Sequence, residues 1–332
     1  MLGAVWKHVT DPGFRWTEGV TPLANVGALA MIHVAYITMI IVGLLQPSLF
    51  GRFPARLVSK FHNLALSLAS LAMVVGHLVG TYQDGGLSSL DAYLCHIPKP
   101  RSHLSELVFY AFYLSKLWEL FDTFLLLCLQ KTPIWLHLIH HSTTAGMCFF
   151  AYRGDASTSN LVLVTNCTVH TIMYFYYYYP ITQIRRYITT LQMVQFVVVM
   201  VDLLYVTLTK VSPAFGPPCT GDAMTDYLGL FFYALFLTMF GNFFRQQYQG
   251  QAKGKRAELA KPSAPLIGSP DVVLTSLPVV MYWNGTLVFL VFLSLSNIIF
   301  VRRDAAFFIL CLLATVFAFS TSSRASSKPK SM

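Results

Sequence analysis

Apolar residues recur along the chain in runs long enough to cross a bilayer, at about 20 residues per crossing. Seven such runs occupy positions 25–45, 62–82, 104–130, 135–152, 157–179, 187–209 and 223–244, and each predicts a helix. Two further apolar runs, 277–301 and 305–320, are parted by Arg302, Arg303 and Asp304 and predict either a hairpin of two crossings or a re-entrant pair. The first run is too long and begins too late for a cleaved signal peptide. The expected organisation is a transmembrane domain over 1–250, a cytosolic linker over 251–276, a hydrophobic pair over 277–323 and a cytosolic tail over 324–332.

Polar residues interrupt this pattern on four consecutive runs, and they do so with helical spacing. At about 100° per residue, Lys116, Glu119 and Thr123 share one face of the third run, with Asp122 on its flank. His137, His140 and His141 share a face of the fourth, and Asn166, His170, Met173, Tyr174 and Tyr177 a face of the fifth. Thr189, Gln192, Gln195 and Phe196 do the same on the sixth. Taking Lys131, Pro180 and Arg186 as boundary markers and ~1.5 Å per residue, each stripe lies roughly 9–18 Å below the same membrane face. A shared depth points to one chamber. Ionisable groups are costly inside a bilayer and by default mark function.

Composition and charge narrow the classes. Of 332 residues, 55% are hydrophobic and 11% charged, the profile of a polytopic membrane protein and not of a cytosolic enzyme. The net charge of +9 sits on scattered loops, so no nucleic-acid partner is expected; the partner is the lipid bilayer. Loops after runs one, three, five and seven carry eleven Lys and Arg, whereas the N-terminus and the other three loops carry six. The positive-inside rule then places the N-terminus in the lumen and residues after run seven in the cytosol. Cys95 and Cys219 fall in loops on the lumenal side, where disulfides form, and they are expected to pair; Cys128, Cys148, Cys167 and Cys311 read as small buried hydrophobes. The isolated His33, His62 and His77 read as satisfied core or boundary residues.

The residue types allow several chemistries. HLIHH (137–141) has the spacing of one histidine box of membrane di-iron enzymes, but no second pair at HxxH spacing follows, and no acidic or cysteine ligand stands at zinc-ligand spacing beside it. No metal and no cofactor is therefore expected. Neutral imidazoles in a desolvated chamber suit nucleophilic or general-base catalysis. A metal-dependent lipid-modifying enzyme and a transporter that binds without turnover remain as alternatives.

Taken together, KLWELFDT (116–123), HLIHH, NCTVHTIMYFYYY (166–178) and TTLQMVQF (189–196), with FFRQQY (243–248) closing the last shared helix, resemble the motifs of the very-long-chain fatty acid elongase (ELO) family. The resemblance covers about residues 20–250. It implies an all-α polytopic fold of seven transmembrane helices, six of them enclosing an acyl-chain tunnel, and a 3-oxoacyl-CoA synthase that condenses acyl-CoA with malonyl-CoA. It implies His140 as nucleophile, with His137, His141 and His170 beside it. Lys116, Glu119, Asp122, Asn166, Gln192, Gln195 and Tyr174 would support that cluster, and Lys131, Arg185, Arg186 and Arg245 would meet the CoA phosphates. It also implies an endoplasmic reticulum membrane enzyme working with the other elongation-cycle enzymes; a homodimer is left open. The C-terminal hydrophobic pair departs from the family pattern. TPIWL (132–136) stands where polyunsaturated-type elongases carry QVTFL, which leans toward saturated or monounsaturated substrates. The terminal Lys328 and Lys330 resemble a dilysine retrieval signal read from the cytosol, and the sequon at Asn284 is expected to stay unglycosylated inside its apolar run.

Overall fold

The computed structural model describes residues 8–249, except 18 and 52. The linker, the C-terminal pair, the tail signal, the Asn284 sequon and Cys311 lie outside the described residues. Among those described, the regular structure is entirely helical. Seven long helices occur: α1 (Val26–Leu45), α2 (Ala55–Gln83), α4 (His103–Cys128), α5 (Trp135–Arg153), α6 (Ser159–Tyr178), α7 (Arg185–Val211) and α8 (Ala223–Phe244). A short α3 (Leu90–Cys95) lies between α2 and α4. Segments containing α1, α2, α7 and α8 are long and apolar enough to cross a membrane by length and composition, so the chain is a multi-pass membrane protein. The remaining long helices α4, α5 and α6 fall short of that measure because they carry the lysine, carboxylates, histidines and amide of the polar stripes.

Local chemistry sets the helix ends. Asn25, Ser89, Ser102 and Asp222 each accept a hydrogen bond from a backbone N–H two or three residues into α1, α3, α4 and α8, satisfying donors that the first turn leaves open. Helix α2 starts at Ala55, seven residues before the apolar run at 62, because Arg56 and Lys60 are compatible with helix even though they end an apolar pattern. Helices α2, α4 and α5 stop in the same way. The N–H of Gly86, Lys131 and Ala156 reaches back to the carbonyl of Thr81, Leu126 and Ala151, with Gly85, Gln130 and Asp155 in the left-handed region at φ 75°, 56° and 50°. The turn at Gln130 delivers Lys131 to the start of the α4–α5 connection.

Packing closes six of the helices into a ring. Around it, α2 packs on α6, α6 on α7, α7 on α8, α8 on α5, α5 on α4 and α4 back on α2; α1 lies outside against α4 and α5. The α2–α4 seam is tight because Gly76 and Gly80 form a G-x-x-x-G face, a spacing that lets membrane helices approach closely. A Cβ on Gly80 would lie 2.6 Å from Ser105 Oγ and 3.1 Å from its backbone nitrogen. One end of the ring carries a disulfide between Cys95 at the end of α3 and Cys219 in the α7–α8 loop, with Cα atoms 4.6 Å apart. There, Thr220 N–H donates to the Cys95 carbonyl at 2.9 Å.

Gly80→Leu should overpack the α2–α4 seam and cost about 1–3 kcal/mol, read as a lower Tm of the detergent-solubilised protein. Gly241→Ala, where an added Cβ meets nothing within 4 Å, should leave Tm unchanged. Equal Tm values for the two variants would refute the close approach.

Candidate active site

The polar groups of KLWELFDT sit near the middle and toward the end of α4, and each reaches a different neighbour. Lys116 Nζ donates to Glu119 Oε1 at 2.6 Å and to Asn166 Oδ1 on α6 at 2.7 Å. Lys116 and Glu119 are only 3% and 1% exposed, so this ion pair lies in the protein interior. The amide of Asn166, its oxygen engaged by lysine, turns its Nδ2 toward His170 Nε2 at 3.3 Å. That leaves the His170 proton on Nδ1, 3.2 Å from Glu119 Oε1 but outside hydrogen-bond geometry. One turn on, Asp122 is held from two sides: His62 Nε2 on α2 lies 2.6 Å from Oδ1, and Tyr174 OH on α6 donates to Oδ2 at 2.6 Å.

The three histidines of α5 meet different fates. His141 Nδ1 lies 3.0 Å from the backbone carbonyl of Glu119, so that nitrogen carries the proton and Nε2 keeps its lone pair. His137 Nε2 lies 2.8 Å from Thr123 Oγ1, which in turn is 2.8 Å from the Tyr36 hydroxyl on α1. Among the described residues the His140 ring makes no hydrogen bond. Its ring stands instead against Phe236, at 4.9 Å between centroids, with Phe196 and Phe240 further out. The His137 and His141 rings lie 4.1 Å apart.

A cavity of about 580 Å³ opens onto these groups, and all six helices of the ring contribute to its wall. His137, His140, His141, Asn166, His170, Asp122, Gln192 and Gln195 line it, and Lys131 and Arg185 line it too. Gln192 Nε2 also meets Met173 Sδ at 3.2 Å. Lys116, Glu119 and Tyr174 stand behind the wall, holding residues that line it. The other two cations of the expected mouth are elsewhere: Arg186 lies over the Phe244 ring at 5.5 Å, and Arg245 donates to Asn242. Neither lines the cavity, so the structure separates the four cations into a pair that faces it and a pair that does not. The one group of metal-ligand type among the described residues, Asp91, Cys95 and His96, lies outside this cavity, and the Cys95 sulfur is committed to its disulfide.

Sequence reading missed the contribution of α2. Ser59 and Asn63 line the cavity and His62 grips Asp122. The signal was present: Ser59, His62, Asn63, Ser67 and Ser70 recur at helical spacing, a fifth polar stripe on a run that otherwise reads as apolar. His62 is satisfied, as a core histidine should be, but its partner is a carboxylate of the site. His33 and His77 do take structural partners: His33 bridges carbonyls of Leu29 and Ser142, and His77 lies 3.2 Å from the Tyr93 hydroxyl.

Comparison with known proteins finds the family described as ELO: GNS1/SUR4 family over residues 21–256. The chain is similar to Fatty acid elongase A of Dictyostelium discoideum, 30% identical over 254 residues that span 73% of this chain and 91% of the relative. It is also similar to Putative fatty acid elongase 2 of Schizosaccharomyces pombe, 29% identical over 268 residues that span 75% of this chain and 72% of the relative.

Glu119→Ala should strand the Lys116 charge in the interior and cost about 3–5 kcal/mol, the range for removing one partner of a buried pair. The double variant Lys116→Met/Glu119→Leu should recover much of that loss. Thermal unfolding in detergent checks both; a single variant as stable as wild type would show that the pair contributes nothing to the fold.

Proposed function

The chain belongs to the ELO family, which gives it a role in fatty acid elongation, and within that role we propose that it is the condensing enzyme joining acyl-CoA to malonyl-CoA. The observation that carries this reading is the cavity itself. It brings His140, an imidazole without a hydrogen-bond partner, together with Lys131 and Arg185 in one space bounded by six helices. Of the three histidines on α5, only the His140 ring has both nitrogens uncommitted among the described residues, so its attacking nitrogen has no partner to give up.

In the proposed reaction, an acyl-CoA enters with its CoA phosphates against Lys131 and Arg185 and its chain in the space enclosed by the ring of six helices. A nitrogen of His140 attacks the thioester carbonyl, the C–S bond breaks, and CoA leaves as its thiol with the proton that the acylated imidazolium loses. Malonyl-CoA then loses CO2, and the electron pair of the broken C–C bond forms an enolate. The enolate carbon attacks the acyl carbonyl, the C–N bond breaks, and the departing imidazole nitrogen takes a proton from water, which returns His140 to its starting state with release of 3-oxoacyl-CoA. Charge developing on oxygen needs donors aimed at it; the Gln192 amide and the His137 nitrogen not engaged by Thr123 belong to residues on the cavity wall and would supply them. Glu119, through Lys116 and Asn166, keeps His170 in position, and Thr123 does so for His137. No metal or cofactor takes part in this scheme.

The same reading places the enzyme in the endoplasmic reticulum membrane beside the other elongation-cycle enzymes. Disulfides form on the non-cytosolic side. The Cys95–Cys219 end would therefore face the lumen, and Lys131 and Arg185, on the connections at the other end of α4 and α7, would face cytosolic CoA esters. The N-terminus is then lumenal and the C-terminus cytosolic.

Purified protein given a long-chain acyl-CoA and labelled malonyl-CoA should form 3-oxoacyl-CoA carrying the label. His140→Ala should remain folded and form no product above background, and Gln192→Ala should lose about 10²–10³ in rate if its amide faces the developing oxyanion. Condensation by His140→Ala at the wild-type rate would eliminate the covalent role.

A further inference from the structure

Helix α1 lies outside the ring, yet one of its side chains reaches the histidine site. Tyr36 is 4% exposed, and its hydroxyl lies 2.8 Å from Thr123 Oγ1 on α4. Thr123 is fully buried and lies in turn 2.8 Å from His137 Nε2 on α5. One turn before Tyr36, His33 Nε2 meets the Ser142 carbonyl of α5 at 2.8 Å, which holds this part of α1 against the site. Tyr36, Thr123 and His137 thus form a file across three helices, and its last member lines the cavity.

Thr123 is available to this file because of a second contact. A threonine hydroxyl within a helix commonly returns to the carbonyl four residues back, as those of Thr143, Thr165, Thr168 and Thr171 do. For Thr123 that carbonyl belongs to Glu119, and it accepts from His141 Nδ1 instead. Two positions one turn apart on α4 therefore meet two histidines one turn apart on α5. The Glu119 carbonyl takes His141, and the Thr123 hydroxyl is left for His137.

The file has a direction. Each hydroxyl carries a single proton, and neither Tyr36 nor Thr123 has a further hydroxyl partner among the described residues. Suppose that His137 Nε2–H donated to Thr123. If Thr123 then donated to Tyr36, the Tyr36 proton would have no acceptor; if Tyr36 donated to Thr123, the Thr123 proton would have none. An imidazolium carries a proton on Nε2 and meets the same conflict. A buried donor without an acceptor loses its hydration for nothing in return. Every proton is accepted only when Tyr36 O–H donates to Thr123 Oγ1 and Thr123 O–H donates to the lone pair of His137 Nε2. The His137 proton then sits on Nδ1, which has no partner among the described residues. We propose that Tyr36 is a positioning residue for the site. Through Thr123 it selects the Nδ1–H tautomer of His137, so that this ring offers a substrate oxygen a donor and not a base. The effect on rate rests on the condensation reading above; the effect on the tautomer does not.

The test uses full-length protein in lipid bilayers at neutral pH, prepared with isotope-labelled histidine. Solid-state NMR separates the two neutral tautomers and the imidazolium by their ring carbon and nitrogen shifts, and the His137 signals are those lost in His137→Gln. Wild-type protein should show His137 as the Nδ1–H tautomer alone. Tyr36→Phe removes one hydroxyl and keeps the ring. Thr123 can then accept from His137, so a second, Nε2–H form should appear. The kcat of condensation should fall to the fraction of the Nδ1–H form that remains, with KM unchanged, a proportionality that a mere loosening of α1 would not produce. An Nε2–H or cationic His137 in wild type overturns the proposal before any variant is made. An unaltered tautomer in Tyr36→Phe, or a kcat that does not follow the tautomer, does so as well. If wild-type protein forms no 3-oxoacyl-CoA at all, the condensation reading fails, and the spectra still decide which nitrogen Tyr36 and Thr123 protonate.

Discussion

The buried ion pair between Lys116 and Glu119 is the constraint on which the rest of the site depends. Moving two charges out of water costs several kcal/mol per ion, and only close geometry with further hydrogen bonds offsets it. Lys116 therefore needs both Glu119 at 2.6 Å and Asn166 at 2.7 Å, and this requirement ties α4 to α6. The same turn of α4 then fixes α5 through the Glu119 carbonyl and Thr123, α2 through Asp122, and α1 through Thr123 and Tyr36. One stretch of eight residues thus holds side chains or backbone of four other helices.

That arrangement sorts the histidines by what is left to them. His137 and His141 are each fixed by a partner on α4, and His170 is set by Asn166. His140 faces the cavity among aromatic rings, and among the described residues its ring has no hydrogen-bond partner. An aromatic wall without donors leaves an imidazole nitrogen available to a substrate, whereas a hydrogen-bonded one must first give up its partner. Among the described residues the geometry thus leaves the His140 ring unengaged at both nitrogens, inside a frame that fixes the other rings.

Much of this was legible in the sequence because bilayer-length apolar runs and helical polar spacing are strong periodic signals. The positions of α1, α2 and α4 to α8 follow from the runs to within a few residues, apart from the early start of α2. The stripes on α4 to α7 pick out side chains that do converge on one cavity. What escaped the sequence is partnership. The polar stripe on α2 was diluted by its apolar neighbours, so His62 read as isolated when its partner lay sixty positions away at Asp122. The split of the four expected phosphate-binding cations, with Lys131 and Arg185 on the cavity and Arg186 and Arg245 off it, depends on the side to which each points, which charge counting does not reveal. Tyr36 drew no notice because a tyrosine on the first apolar run is ordinary in sequence and becomes unusual only when its buried hydroxyl meets Thr123.

The central claim is that His140 carries the acyl group, and a mass measurement tests it without turnover. Protein incubated with a long-chain acyl-CoA and no malonyl-CoA should gain the mass of one acyl group minus a hydrogen. Fragmentation should place that mass on His140, and subsequent malonyl-CoA should remove it. A protein that releases no CoA and gains no mass under these conditions, yet condenses both substrates when they are present together, would contradict the account.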